Sequence, residues 1–171
     1  MSRVQLVAYD PSWPSQFESL RSRIVQALPD ARVEHIGSTA VPGCAAKPII
    51  DISVGLAPGS SVRDATFRAA GLTFRSLQPY SLVFAIDHPD GNRWANVHVR
   101  YQGSESELND LRLRDFLRVH AEAVRAYVEA KTSAATASVD GREYTRTKAP
   151  FIERLRGEVR RWAEATGWSP S

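Results

Sequence analysis

The feature that most constrains the fold is a loop of small residues between two apolar strand segments, VEHIGSTAVPGCAAKPIIDISVG at residues 33–55. The apolar spacing predicts one strand over residues 33–36 and a second over residues 49–54. Side chains alternate along a strand, so Asp51 and Ser53 share one face while the apolar side chains occupy the other. A carboxylate in so apolar a strand is costly to bury alone, which indicates that Asp51 pairs with a cation or lines a binding cleft.

The rest of the chain predicts an α+β domain. An amphipathic helix over residues 13–28 precedes the first strand, and strands 81–86 and 94–101 form a hairpin. Residues 105–136 read as helical with a break near His120. A last helix covers residues 144–165, and we place Pro150 in its first turn. We expect a mixed sheet flanked by helices, a helical C-terminal third, and a single domain over residues 1–171.

Composition narrows the class of function. The chain has 171 residues and one cysteine, Cys44, which excludes an internal disulfide and a multi-cysteine zinc site. We find no run of about 18 apolar residues and no leader pattern, so we expect a cytoplasmic protein with no membrane partner. The formal net charge is +3 and the basic residues are scattered, which argues against a nucleic-acid partner and favours a small anionic ligand.

The use of lysine is unusual in this chain. Only three of the 22 basic residues are lysines, Lys47, Lys131 and Lys148, and the others are arginines. Lysine presents a compact point charge, whereas arginine presents a planar fork. We therefore take the three lysines as candidate positions for binding an anion.

The loop after the first strand has features of a phosphate site. Backbone amides at Gly37, with the hydroxyl groups of Ser38 and Thr39, can hold phosphate oxygens. Twelve residues separate Ser38 from Asp51, which is similar to the nucleotidyltransferase signature of DNA polymerase beta-like enzymes. There, an acid, a hydrophobic residue and a second acid bind magnesium together. Ser53 stands in place of the second acid, so we do not expect a two-metal site, and we keep Ser53 as a substrate-binding candidate.

A second polar face lies on the strand over residues 94–101, where Asn96, His98 and Arg100 alternate with valines. If this face joins Asp51, then Asp51 and His98 are the candidate catalytic residues and the candidate metal ligands. Asp with His suits a transition metal such as zinc or manganese better than magnesium. It also suits a general acid/base pair in which the aspartate orients the histidine. Both interpretations remain open at this point.

Longer motifs resemble those of the GrpB family. They are Tyr9-Asp10-Pro11-x-Trp13, Glu34-His35-Ile36-Gly37-Ser38-Thr39, Val41-Pro42-Gly43, Lys47-Pro48-Ile49-Ile50-Asp51-Ile52, Leu113-Arg114-Asp115-Phe116-Leu117-Arg118, and the pattern Tyr127, Lys131, Tyr144, Lys148, Phe151-Ile152. The resemblance spans residues 4–160 and implies a small fold of the nucleotidyltransferase superfamily, DNA polymerase beta-like. The family pattern near the hairpin reads His-x-His, where this chain has Asn96-Val97-His98.

The same resemblance implies that substrate-binding groups come from the helical third. Lys131, Tyr144 and Lys148 fall on family positions there. Lys47 would lie beside the candidate phosphate-binding loop after the first strand. Arg114 and Arg118 are four residues apart and share a helical face, with Asp115 placed to orient one of them. We expect these cations to face Asp51 across one cleft.

We therefore expect a nucleotidyltransferase-fold protein that binds a nucleotide or another anionic small molecule. Its chemistry would be metal-assisted nucleotidyl transfer or a divergent acid/base reaction. The expected cofactor is a divalent metal, magnesium or manganese rather than zinc. The alternative is a non-catalytic accessory or binding module that assists a partner protein, since GrpB domains also occur fused to dephospho-coenzyme A kinase.

Overall fold

The computed structural model describes residues 4–60, 64–78 and 81–170. The helices are α1 (Trp13–Ala27), α2 (Asp64–Ala69), α3 (Glu105–Val119), α4 (Ala121–Ala137) and α5 (Gly141–Thr166). The strands are β1 (Arg32–Ile36), β2 (Ile50–Leu56), β3 (Thr73–Gln78), β4 (Ser81–Asp87) and β5 (Arg93–Tyr101), and Ser38–Ala40 forms a short 3-10 turn. This architecture confirms the predicted α+β class and the helical C-terminal third.

The strands form one mixed sheet in the order β1-β2-β5-β4-β3. The central pair, β2 and β5, is parallel, and every other neighbouring pair is antiparallel. A parallel pair needs a long crossover connection, which α2, β3 and β4 provide here. Because the two strands have the same direction, polar residues at matching positions line up on one face.

The buried apolar side chains form two cores. The first packs α1 and α2 against one face of the sheet, through residues such as Leu20, Ile24, Ile52 and Val97. The second joins the loop after β1 to α3, α4 and α5, and it includes Cys44. The helical third therefore forms a wall beside the sheet face that carries Asp51, and α1 covers the apolar face.

The helix boundaries follow the sequence closely, with one correction. His120 separates α3 from α4, as predicted. The placement of Pro150 in the first turn of the last helix is wrong, because Pro150 lies inside α5. The helix begins earlier because the Asp140 side chain accepts hydrogen bonds from the backbone N–H groups of Arg142 and Glu143. Pro150 cannot donate the backbone hydrogen bond that another residue would donate there.

Two buried contacts attach α3 to the sheet. Glu107 is fully buried, and its carboxylate accepts hydrogen bonds from Arg32 Nη2 at 2.5 Å and from the Gly103 N–H at 2.7 Å. Arg114 is 3% exposed and donates to Glu34 Oε2 on β1 at 2.6 Å. Both contacts fix the position of α3 relative to β1.

Among the described residues, no helix is long and apolar enough to cross a membrane. The prediction of one domain over residues 1–171 includes residues 1–3, 61–63, 79–80 and 171, which lie outside the described ranges. That domain assignment and the expected cytoplasmic location stay predictions.

Glu107→Gln is expected to destabilise the fold by about 2 kcal/mol, because removing this buried, hydrogen-bonded charge leaves Arg32 without its counterion. Glu105→Gln is the matched control on the same helix, because its exposed pair with Arg112 is worth less than about 1 kcal/mol. Urea denaturation of both variants measures the difference. Equal losses of stability would show that the buried pair does not fix α3.

Candidate functional site

The site begins on the sheet face where β2 and β5 run side by side. In the parallel register Asp51 lies opposite Asn96, and Ser53 lies opposite His98. Residues two apart on a strand share a face, so the two polar faces join as the sequence predicts. Asn96 Nδ2 donates a hydrogen bond of 2.9 Å to Asp51 Oδ1, which fixes the orientation of the carboxylate.

Gly37 brings the loop after β1 against Asp51. Its φ of +72° lies in a region that side chains with a Cβ atom rarely adopt. A Cβ atom at this position would lie 2.6 Å from Asp51 Oδ2 and 3.0 Å from Asp51 Cβ. Glycine is therefore needed both for the turn and for the space that the carboxylate occupies. The next residues, Ser38 and Thr39, face the same cavity as Asp51.

Lys131 reaches this loop from α4. Its side chain is 2% exposed, and its Nζ donates to Ser38 Oγ at 2.8 Å, to Cys44 Sγ at 3.4 Å and to the Ala45 carbonyl. The ammonium also lies 4.5 Å from the centre of the Tyr127 ring. Burial lowers the pKa of Lys131, and the contact with Cys44 opposes that shift. Lys131 holds the loop in place and adds a positive charge beside it.

The other two lysines share one aromatic ring. Lys47 Nζ lies 4.6 Å from the centre of the Tyr144 ring, and Lys148 Nζ lies 5.0 Å from the same centre. Burial lowers the pKa of both lysines, and the Asp51 carboxylate opposes that effect. The positive charges of Lys47 and Lys131 lower the pKa of Lys148 further.

These groups line a cavity of about 310 Å³, which we call the central cleft. It lies between the sheet, the loop after β1 and α5. Its polar lining residues are Ser38, Thr39, Lys47, Asp51, Asn96, His98, Lys131, Tyr144, Thr145 and Lys148. The structure thus brings together residues predicted from three separate parts of the chain, and their roles in binding stay predictions.

A second cavity, of about 440 Å³, adjoins the central cleft, and both are lined by Asp51, His98, Thr145 and Lys148. Burial lowers the pKa of His98, and the charge of Asp51 opposes that shift. Within the described residues, His98 Nδ1 is buried without a hydrogen-bond partner. His98 borders both cavities, and its role as an acid/base group stays a prediction.

Sequence reasoning missed Thr145 and Asp110 as lining residues. Thr145 directly follows Tyr144, so the adjacent motif position was the available signal. Asp110 lies four residues before Arg114 on α3, but its ion pair of 2.7 Å with Arg100 joins a helix to a strand. No local sequence pattern indicates that pairing.

Ser53 does not line the central cleft, although it was predicted to bind substrate. Its side chain is 0% exposed, and among the described residues its Oγ has no hydrogen-bond partner. Two residues further along β2, a Cβ atom at Gly55 would collide with the Glu107 carboxylate of α3. Helix α3 therefore closes over this end of the strand and leaves Asp51 as the open position.

Arg114 and Arg118 also lie away from the central cleft. They line a separate pocket of about 500 Å³, which has no lining residue in common with the cleft in the described chain. Arg114 donates to Glu34 and, at 2.7 Å, to Asp115, which confirms that Asp115 orients it. Arg118 Nε donates to the Ala40 carbonyl at 3.0 Å. The expected arrangement of all these cations across one cleft is wrong, because α3 passes on the β1 side of the loop.

The donor set of the central cleft does not fit a resident divalent metal ion. Within residues 4–60, 64–78 and 81–170, no three His, Cys, Asp or Glu side chains come together as a metal-binding group. Asp51 is the single carboxylate of the cleft lining, and Asn96 already donates to one of its oxygens. Magnesium and manganese prefer several oxygen ligands, which Asp51 and His98 do not supply.

Gly37→Ala is expected to destabilise the protein by more than Gly43→Ala does. Both glycines have positive φ, which costs an alanine about 1 kcal/mol. Only at Gly37 would the new Cβ atom also meet the Asp51 side chain, whereas nothing lies within 4 Å of a Cβ at Gly43. Denaturant unfolding of the two variants separates the cost of backbone strain from the cost of the clash with Asp51. Equal losses of unfolding free energy would contradict the close approach of the loop to Asp51.

His35 lies in the pocket of Arg114 and Arg118, stacked on Phe17 with ring centroids 4.7 Å apart. Its Nε2 is 3.0 Å from Thr39 Oγ1. Burial, with the positive charges of Arg118 and Arg114, lowers the pKa of His35 from 6.5 to about 4. The folded protein therefore favours the neutral imidazole.

This shift predicts a pH dependence of stability. In the unfolded chain His35 binds a proton near its ordinary pKa of 6.5, whereas in the folded protein it does so only near a pKa of about 4. The free energy of unfolding is therefore unaffected by this group above pH 6.5, and it decreases as the pH falls from 6.5 towards 4. The loss of unfolding free energy caused by His35 is at most on the order of 3 kcal/mol, and His35→Gln should remove this loss. Urea midpoints from pH 7 to pH 4.5 for the wild type, His35→Gln and His88→Gln test it. Parallel curves for all three proteins would exclude the effect.

Comparison with known proteins finds relatives that match most of this chain. A family model described as GrpB protein matches residues 3–158. A UPF0157 protein of Deinococcus radiodurans is 36% identical over 153 residues, which are 89% of this chain and 80% of that protein. A dephospho-CoA kinase of Mycolicibacterium paratuberculosis is 31% identical over 200 aligned positions, covering 98% of this chain and 48% of that protein.

Solved structures show the same relationship. The crystal structure of the conserved protein GrpB from Enterococcus faecalis has a TM-score of 0.77 and 27% identity, covering 91% of this chain and 96% of that one. A cytoplasmic RNA terminal U-transferase has a TM-score of 0.51 and 13% identity, covering 73% of this chain and 40% of that one. The second likeness concerns the fold alone, which is nucleotidyltransferase-like as predicted. From its matching family model and its relatives, this chain belongs to the GrpB family.

Proposed function

We propose that the central cleft binds a nucleotide or another small molecule that carries phosphate. The observation that carries this proposal is the convergence of all three lysines of the chain on one cavity. They meet there the hydroxyl groups of Ser38 and Thr39 and the loop that Gly37 turns. Ammonium and hydroxyl groups around a glycine turn are donors suited to phosphate oxygens.

The chemistry that this cleft supports is transfer of a nucleotidyl group to a hydroxyl group. The acceptor hydroxyl would give its proton to Asp51, and its oxygen would form a bond to the α-phosphorus. The bond from that phosphorus to the pyrophosphate leaving group would break, with the lysines stabilising the charge that develops. His98 borders both cavities and would position the acceptor or exchange a proton with it.

The likeness of fold to an RNA terminal U-transferase supports a nucleotide as the ligand, and fold alone does not decide the reaction. One carboxylate in place of two supports the divergent acid/base reaction over the usual metal-assisted form. Asp51 would be its base and His98 its acid, since both border the two adjoining cavities.

A second candidate function is a non-catalytic accessory module that binds a ligand on behalf of a partner protein. The match to about half of a dephospho-CoA kinase favours this candidate, because there the related segment accompanies another enzyme. The phosphate-bearing compound in that name, dephospho-CoA, joins the nucleotides as a ligand to test.

Thermal unfolding with ATP, UTP, CTP, GTP and dephospho-CoA tests the proposal. A ligand at 100 times its Kd stabilises the folded protein by about 2.7 kcal/mol, which raises Tm by several degrees. Lys47→Gln should reduce that rise, whereas Arg125→Gln, the same charge change on the exposed face of α4, should leave it intact. Absence of a Tm rise with every compound at millimolar concentration would refute phosphate binding.

The same samples distinguish the two candidate functions. Wild-type protein incubated with the stabilising nucleotide and a mixture of hydroxyl acceptors should release pyrophosphate, and Asp51→Asn should release none while still binding. Ligand binding without pyrophosphate release by the wild type would favour the accessory module.

A further inference from the structure

The central cleft carries more positive than negative charge. Its lining has three lysines, Lys47, Lys131 and Lys148, against one carboxylate, Asp51, which is a formal charge of +2. Burial weakens the solvation of each ammonium, so the excess charge is more costly here than on the surface. An excess of buried cations indicates an anionic occupant.

The two lysines beside the Tyr144 ring show this excess of positive charge most clearly. Lys47 and Lys148 approach the same Tyr144 ring, and a neutral ring attracts a cation without cancelling its charge. Within the described ranges neither ammonium forms an ion pair with a carboxylate. Repulsion between these cations contributes to the lowered pKa of Lys148. A bound anion would relieve that repulsion.

The positive charges lie at two separate places in the cleft. Lys131 sits at the Ser38 loop and over the Tyr127 ring, whereas the other two lysines sit at the Tyr144 ring of α5. The Lys131 donors are already engaged by the protein, so this lysine attracts an anion through its charge alone. A single phosphate group is compact, but a chain of phosphates can extend from the Tyr144 ring towards the charge at the Ser38 loop. The lining therefore suits an extended anion.

The carboxylates that a metal ion would need are missing or engaged. Asn96 occupies the position opposite Asp51 on β5, and the buried Ser53 occupies the next position on the same face of β2. The two further acids of the adjoining cavity are Asp110 and Glu153. Asp110 forms an ion pair with Arg100 at 2.7 Å, and Glu153 forms one with Arg156 at 2.9 Å. Lysine ammonium groups can neutralise phosphate charge without a metal ion.

We propose that the central cleft holds a chain of two or more phosphate groups through Lys47 and Lys148, with the charge of Lys131 beside the Ser38 loop and with no divalent metal ion required. This rests on the proposed function in that the ligand carries phosphate, and it names the ligand as a polyphosphate or a nucleoside di- or triphosphate. Asp51 is then the single carboxylate beside the phosphates and not a metal ligand.

Titration calorimetry with inorganic tripolyphosphate and with ATP, in EDTA and in magnesium, tests this. Both probes should bind in EDTA at least as tightly as in magnesium. Lys148→Gln should weaken tripolyphosphate binding about tenfold, the loss expected for one charged hydrogen bond. Asp51→Asn should tighten it by a few fold, because the one opposing carboxylate is removed. Arg125→Gln should change the affinity for neither tripolyphosphate nor ATP.

A second readout does not need the ligand. Without any anion, Lys148→Gln should have a Tm equal to or above that of the wild type, because one of the repelling cations is gone, and Arg125→Gln should show no rise. A large fall in Tm for Lys148→Gln would contradict an unbalanced charge in the cleft. Lys47→Gln provides the same two measurements through the other lysine of the Tyr144 ring.

The outcomes separate this inference from the proposed function. Nucleotide binding that requires magnesium and is abolished by Asp51→Asn would overturn the metal-free mode and leave the proposed function standing. Failure of the wild type to bind tripolyphosphate or any nucleotide, with or without magnesium, would overturn both. Tripolyphosphate binding that Lys47→Gln and Lys148→Gln leave unchanged would place the anion outside the central cleft and refute the inference.

Discussion

The parallel pairing of β2 with β5 is the constraint on which the site depends. It places Asp51 beside Asn96 and leaves the apolar side chains of both strands to the core under α1. A shift of one residue would turn the polar face into that core, at a cost that the buried isoleucines and valines make prohibitive. The apolar core therefore fixes the register, and the register fixes the acid, the amide and the imidazole of the cleft.

The rest of the cleft is built against this fixed face by parts of the chain that are distant in sequence. Gly37 lets the loop touch Asp51, and Lys131 attaches the same loop to α4. Helix α3 is attached to β1 by two ion pairs, each with one buried partner, and the first turns of α5 line the cleft beside Asp51. The polar residues of the cleft are thus positioned both by contacts among themselves and by ion pairs outside the cleft.

The sequence predicts those parts of the site that depend on local geometry. Strand alternation correctly places Asp51 and His98 on one face, and the scarcity of lysine indicates three residues that do meet. The burial of Ser53 and the separation of Arg118 from the cleft depend on how α3 crosses β1 and β2. That crossing is set by long-range ion pairs such as Arg32 with Glu107, which no short window of sequence reveals. Helix α5 begins before its predicted start because a side-chain cap outweighs the proline.

The three contacts of Lys131 limit what can replace it. A tetrahedral ammonium can direct its donors at three acceptors in different directions, here a hydroxyl, a carbonyl and a thiol. Arginine is planar and longer, so its donors would lie in one plane and could not meet all three in the same space. An arginine at this position would therefore lose at least one of the three contacts. Tolerance of mutation should be lower at this cation than at Arg125, the exposed arginine of the same helix.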